Sequence, residues 1–103
     1  MRLLHGRANV VNILVSIDLS DADLALFDDY EKKVLAILPL HGAALRFRVR
    51  ATDGSKEFHL LDFPDANARE QFLSDPARIA ARSLWDQCGA TSNAIEVADF
   101  VGF

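Results

Sequence analysis

The chain has 103 residues, 50% of them hydrophobic and 25% charged, with five glycines and three prolines, the make-up of one ordinary globular domain and not of a disordered chain. Eleven Lys and Arg against fifteen Asp and Glu leave a net charge of −4, which argues against a nucleic-acid partner, because affinity for phosphate backbones comes from a basic face. The single cysteine, Cys88, excludes an intramolecular disulfide framework and points to a reducing cytoplasm.

Residues 1–9 are expected to be a flexible start, with His5 inside it. The opening MRLLHGRANVVNILVSIDL lacks the unbroken apolar core of a signal peptide, since Asn12, Ser16 and Asp18 interrupt it. Nothing in the chain approaches the roughly 18 apolar residues that cross a bilayer, so no membrane partner is expected. VVNILVSIDL, 10–19, is rich in β-branched residues and reads as a strand. Val11, Ile13, Val15, Ile17 and Leu19 fall on one face, and Asn12, Leu14, Ser16 and Asp18 on the other. Ser20 and Asp23 then form a capping-box pattern. The following helix carries Leu26, Phe27, Tyr30, Val34, Ile37 and Leu38 at helical spacing. Pro39 ends it and Gly42 supplies the left-handed closing residue. Glu31 falls within the apolar arc and is expected at its edge, its charge snorkelling to water. His41, at the helix end, is expected to cap it.

ALRFRVR and KEFHLLDF flank TDGS and predict a β-hairpin with Asp53 and Gly54 as the turn pair. That turn makes residues whose numbers sum to 107 cross-strand partners: Arg50 with Glu57, Arg48 with His59, Arg46 with Leu61, Val49 with Phe58, Phe47 with Leu60 and Leu45 with Asp62. Next come two helical pieces, the first capped by Asp65 and the second opened by Asp75 and Pro76 and closed by Gly89. Cys88, near that end, reads as structural. NAIEVADFV completes the chain as a strand.

The order β-α-β-β-α-β predicts a ferredoxin-like plait, a single α+β domain over residues 1–103. Its four-stranded antiparallel sheet should carry both helices on one face. The face with Phe47, Val49, Phe58 and Leu60 is expected beneath the helices. The face with Arg46, Arg48, Arg50, Glu57 and His59 is expected to be open, joined there by Glu96, Ala98 and Phe100. Leu14, Leu61 and Phe63 among those charges make a mixed patch, the mark of a partner surface, so a homodimer through the sheet face is expected.

YEKKVLAILPLHGAALRFRVR and HLLDFPDANAREQFLSDPARIA are similar to segments of small bacterial proteins of unknown function in the dimeric α+β barrel superfamily. The similarity spans roughly residues 10–100, with Ala43 where a second glycine is usual. The resemblance implies ferredoxin-like subunits that pair through their sheets into a barrel. It places the chain beside cofactor-independent aromatic monooxygenases, muconolactone isomerase and haem-dependent members. One fold with so many activities assigns none of them.

Arg46, Arg48, Arg50 and His59 are the sharpest candidate site. Guanidinium groups hold carboxylates or enolates, and an imidazole moves a proton near neutral pH. His59 and Arg48 would act in catalysis, with Arg46 and Arg50 binding substrate. The competing reading is a solvated or interface face paired to Glu57 and Glu96. A pocket between sheet and helices is the second candidate, reached by Tyr30, Trp85 and Asp62, though both aromatics also fit a core. No clustered Cys/His spacing suggests a metal, no Gly-rich loop suggests a nucleotide, and no cofactor is expected; His59 alone could serve a haem. The ligand would be a small anionic or aromatic molecule, handled by cofactor-independent proton transfer or oxygenation. The alternative is a non-catalytic dimeric domain.

Overall fold

A computed structural model describes residues 9–98; the expectations for His5, for most of the flexible start and for Phe100 lie outside them. The elements run β1 (Val11–Asp18), α1 (Leu24–Leu35), a 3₁₀ turn (Leu38–His41), β2 (Ala44–Arg50), β3 (Lys56–Phe63), α2 (Ala66–Leu73), α3 (Pro76–Cys88) and β4 (Thr91–Val97). All four strands form one antiparallel sheet in the order β2-β3-β1-β4. This is the ferredoxin-like plait, with α1 and α3 packed on one face through a core of Ile13, Val34, Leu61 and Phe72.

Local capping chemistry sets most of the boundaries. Asp65 and Asp75 accept the Ala68 and Ala77 amides at 2.8 Å each, as expected of helix N-caps. Asp23, not Ser20, caps α1, accepting the Leu26 amide at 3.1 Å. Ser20 instead donates its amide to Asp18, 2.8 Å away. Helix α1 stops at Leu35, before Pro39, and the proline opens the 3₁₀ turn that Gly42 closes at φ 70°.

The hairpin keeps four of its expected pairs: Arg50 with Glu57, Val49 with Phe58, Arg48 with His59 and Phe47 with Leu60. Its loop has four residues, 52–55, between a ladder closed by the Ala51 amide on the Lys56 carbonyl. Among the described residues only glycines have positive φ, so Asp53 does not take the mirror-image turn, and Gly54 alone does, at 79°. A bulge at Arg46 ends the expected register. Leu45 pairs with Leu61 and Ala44 with Asp62, so Arg46 does not face Leu61 and Leu45 does not face Asp62.

The hairpin presents its faces the other way round from the expectation. Strand β3 pairs with β1 through Ile17–Glu57, Val15–His59 and Ile13–Leu61. Directly opposed residues share a face, so the side of β3 with Glu57 and His59 goes beneath the helices along with the aliphatic side of β1. Arg48 and Arg50 follow as cross-strand partners. Phe47, Val49, Phe58 and Leu60 lie on the open face instead. Strand β4 obeys the same rule: Glu96 pairs with Ile13 on the helix side, not the open side, and Ile95 pairs with Leu14 on the open side.

Candidate functional site

Helix α1 buries Phe27, Tyr30, Glu31 and Val34, the i, i+3, i+4, i+7 stripe that a helix turns to a sheet. Glu31 therefore points into the interior at 4% exposure, rather than snorkelling at its edge. Beneath it, the two-residue alternation of β3 delivers Glu57 and His59, at 1% and 3% exposure. His59 Nε2 lies 2.6 Å from Glu57 Oε2 and 3.4 Å from Glu31 Oε2. Arg48 Nε donates to Glu57 Oε2 at 2.9 Å, and Arg50 Nε to Oε1 at 2.9 Å. Arg50 Nη2 also donates to Asp28 at 2.9 Å, and its guanidinium lies 5.8 Å above the centre of the Phe27 ring.

These contacts decide where protons reside. Burial alone would raise the Glu57 carboxyl, but hydrogen bonds from Arg48, His59 and Arg50 outweigh it and hold the group below the usual carboxylate range. Burial lowers His59 against the opposing pull of Glu57, so the imidazole is neutral. A neutral ring beside an ionised Glu57 carries its proton on Nε2, donated to that carboxylate. Glu31 has no such donors: burial first, then the negative charge of Glu57, push it from 4.5 up to about 7. Its Oε2 is buried with no hydrogen-bond partner. A carboxyl that exchanges its proton near neutrality, next to a neutral imidazole, is the equipment of general acid–base chemistry.

Glu31 and His59 open onto a cavity of about 230 Å³ between sheet and helices. Its floor is the apolar side of β1 and β3, and Tyr30 and Trp85 stand in its wall with ring centres 5.2 Å apart. Three arginines also line it: Arg69 from α2, and Arg78 and Arg82 from α3.

The expected site residues separate into three groups. His59, Tyr30 and Trp85 line the cavity. Arg48 and Arg50 stand behind it, committed to Glu57 and Asp28. Arg46 is turned by the bulge towards Asp62, 3.5 Å away, and neither lines the cavity. Asp62 pairs with Asn12 and does not face the helices. His41 meets Asp75 at 2.8 Å, tying the 3₁₀ turn to the start of α3. The sequence expectation set Glu31 at the edge of its helix in preference to a catalytic acid, and it did not single out Arg69, Arg78 or Arg82. The available signals were a carboxylate in an apolar stripe and an i, i+4, i+7 row of Arg78, Arg82 and Trp85.

Glu31, Glu57 and His59 offer ligand atoms all within 4.8 Å of one another, a spacing that could hold a metal ion. Two arginines already neutralise Glu57, so an added cation would sit against Arg48. That charge balance favours a proton over a metal at this site.

No protein-family model matches the chain, and no curated protein does. Solved structures do match it. A candidate antibiotic biosynthesis monooxygenase from Bacteroides thetaiotaomicron superposes with a TM-score of 0.78 at 16% identity, over 93% of this chain and 94% of that one. SnoaB, a cofactor-independent oxygenase from Streptomyces nogalater, gives 0.70 at 12% identity, over 90% and 97%. A nipsnap family protein of unknown function from Agrobacterium tumefaciens gives 0.67 at 14% identity, over 96% of each chain. The chain thus shares its ferredoxin-like fold with these solved structures.

Proposed function

We propose that this protein binds a small organic molecule between its sheet and helices and moves a proton on it without a cofactor. Glu31 is the acid–base group, His59 is its neutral neighbour, and Arg48 and Arg50 fix the Glu57 carboxylate that orients the imidazole. The observation that carries this reading is Glu31: buried, lacking a hydrogen-bond partner on Oε2, ionising at about 7 and set in the wall of a cavity. A carboxylate in an apolar pocket is a stronger base than one in water, because ionisation there gains no hydration. Loss of a proton from an electron-rich ring would also prepare it for cofactor-free oxygenation, the activity named for SnoaB.

The same reading includes a homodimer. The open sheet face leaves Phe47, Val49 and Ile95 at 41%, 52% and 50% exposure beside half-buried Phe58 and Leu60. A second copy covering this face would complete a barrel. The arginine-rich side of the hairpin is turned the other way and takes no part in that surface.

A generic carbon acid tests the chemistry without knowledge of the natural substrate. 5-Nitrobenzisoxazole opens when a base removes its ring proton, and the product absorbs visibly. The wild type should accelerate this opening, with a rate that rises through pH 7 and then levels as Glu31 ionises; Glu31→Gln should abolish the acceleration. Equal rates for wild type and variant would sink the catalytic reading and favour the non-catalytic dimeric domain.

A further inference from the structure

Helix α3 turns Arg78, Arg82 and Trp85 to the cavity, the i, i+4, i+7 spacing of one helical face. Helix α2 adds Arg69 from the neighbouring wall. Two of these guanidinium groups have no anion of their own: among the described residues, neither Arg69 nor Arg78 lies within ion-pair distance of a carboxylate. Arg78 is held in place all the same. Its Nη1 donates to the Leu73 carbonyl at 3.1 Å, and its guanidinium lies 5.4 Å above the centre of the Phe72 ring. Its Nε is buried with no acceptor, which leaves a fixed donor unused. Arg82 pairs with Asp86 at 3.3 Å, but both side chains are more than 60% exposed, and such surface pairs yield readily to a better-placed anion.

The cavity is therefore polarised. Arg82, 64% exposed, marks the side that solvent reaches. Glu31 of α1 and His59 of β3, 3.4 Å apart and at 4% and 3% exposure, form the buried side. Tyr30 and Trp85 stand in the wall of the same cavity. Both Arg78 and Arg82 act on the Tyr30 hydroxyl, pulling it down against the larger upward push of burial. A volume of about 230 Å³ compares with the roughly 150 Å³ of an engineered cavity that takes benzene. It has room for one ring and a substituent.

From this geometry we infer that the cavity selects a small aromatic carboxylate, its carboxylate on Arg78 with Arg69 and Arg82 beside it, its ring against Trp85 and Tyr30, and its reactive end at Glu31. The inference rests on the cavity being the binding site and adds the class of compound it takes. A guanidinium fork recognises a carboxylate by two parallel hydrogen bonds, which a neutral isostere cannot match. On a chain of net charge −4, an anion-accepting mouth is a local feature set against the general field.

Benzoate and benzamide have nearly the same shape and differ in charge, so together they test this assignment. Trp85 is the only tryptophan, and its single indole N–H signal in a ¹⁵N-correlated spectrum reports entry into the cavity. Benzoate should shift that signal in a saturable way and bind at least about tenfold more tightly than benzamide, the difference expected of a charge-assisted contact. Arg78→Met should weaken benzoate by a similar factor and leave benzamide unchanged. Arg78→Lys, which restores the charge, should recover part of the loss and guards against a folding defect in the methionine variant. Equal binding of the two probes, or an Arg78→Met variant that binds benzoate as the wild type does, would overturn the carboxylate assignment and leave the cavity reading standing. If neither probe moves the Trp85 signal, both fall.

Discussion

Glu31 shows how a buried carboxyl writes itself into the pH dependence of stability. Its folded value of about 7 lies above its ordinary 4.5, so between these pH values the folded protein holds a proton that the unfolded chain has released. Stability must then fall as pH rises through that window, by on the order of 3 kcal/mol in all. His59 has the opposite slope. Its folded value lies below the ordinary 6.5, so the unfolded chain takes up a proton first and stability falls as pH drops below about 6.5. As pH falls below 6.5 the two therefore oppose each other, Glu31 adding stability and His59 removing it. Glu31→Gln keeps the shape and removes one slope, so the variant should gain stability with rising pH and exceed the wild type at pH 8. Urea unfolding at several pH values reads this directly; parallel profiles with no gain at pH 8 would show that Glu31 ionises as an ordinary exposed carboxyl does. The sequence shows Glu31 within an apolar stripe but not how its carboxyl is accommodated there. Burial and the negative charge of Glu57, which arrives from β3, keep it protonated up to about pH 7, with Arg48 and Arg50 pulling the other way.

At the scale of elements, what was legible was local. Asp65, Asp75 and the Asp-Gly hairpin carry their structure in adjacent residues, because a cap or a turn is completed within four positions. The orientation of the hairpin was not legible. β3 has apolar residues on both sides, Leu61 and Phe63 on one and Phe58 and Leu60 on the other, so alternation alone names no inner face. Pairing with β1, which is distant in sequence, makes the choice, and the bulge at Arg46 shifts the register of the same hairpin. Gly89 shows a local signal reinforced by tertiary contact. It ends α3 at φ 83°, and a Cβ there would lie 2.9 Å from the Asp21 carbonyl oxygen. The neighbouring Cys88 carbonyl accepts the Asp23 amide at 2.7 Å, holding the end of α3 against the start of α1. Gly54 has a similar φ of 79° with open space around it. Gly54→Ala should therefore cost only the left-handed backbone, roughly 1–2 kcal/mol. Gly89→Ala should cost more, because the clash forces the two helices apart. Denaturant midpoints for both variants check the ordering, and equal losses would mean that the loop before α1 yields freely.

For the whole molecule, one sheet separates two different surfaces. Its helix side holds the cavity and the Glu31–His59–Glu57 cluster. Its open side carries an apolar patch where the sequence suggested Arg48, Arg50 and His59, which supports a self-interface: exposed Phe47, Val49 and Ile95 span from β2 to β4 with Phe58 and Leu60 between them, and exposed apolar surface of this kind is costly to leave in water. Because the two surfaces occupy opposite faces, association and ligand entry should be separable. Val49 and Ile95 are half-exposed in the single chain, so charges placed there disturb the fold little but would be buried, like against like, in a face-to-face pair. The wild type should scatter light as twice its 11.4 kDa chain mass at micromolar concentration. The double variant Val49→Glu, Ile95→Glu should scatter as a monomer with an unchanged circular dichroism spectrum, and its Trp85 signal should still respond to benzoate. A wild type that is monomeric in this range would remove the self-interface. A monomeric variant that no longer takes up benzoate would instead mean that the partner props the cavity open through the sheet, joining the two faces into one functional unit.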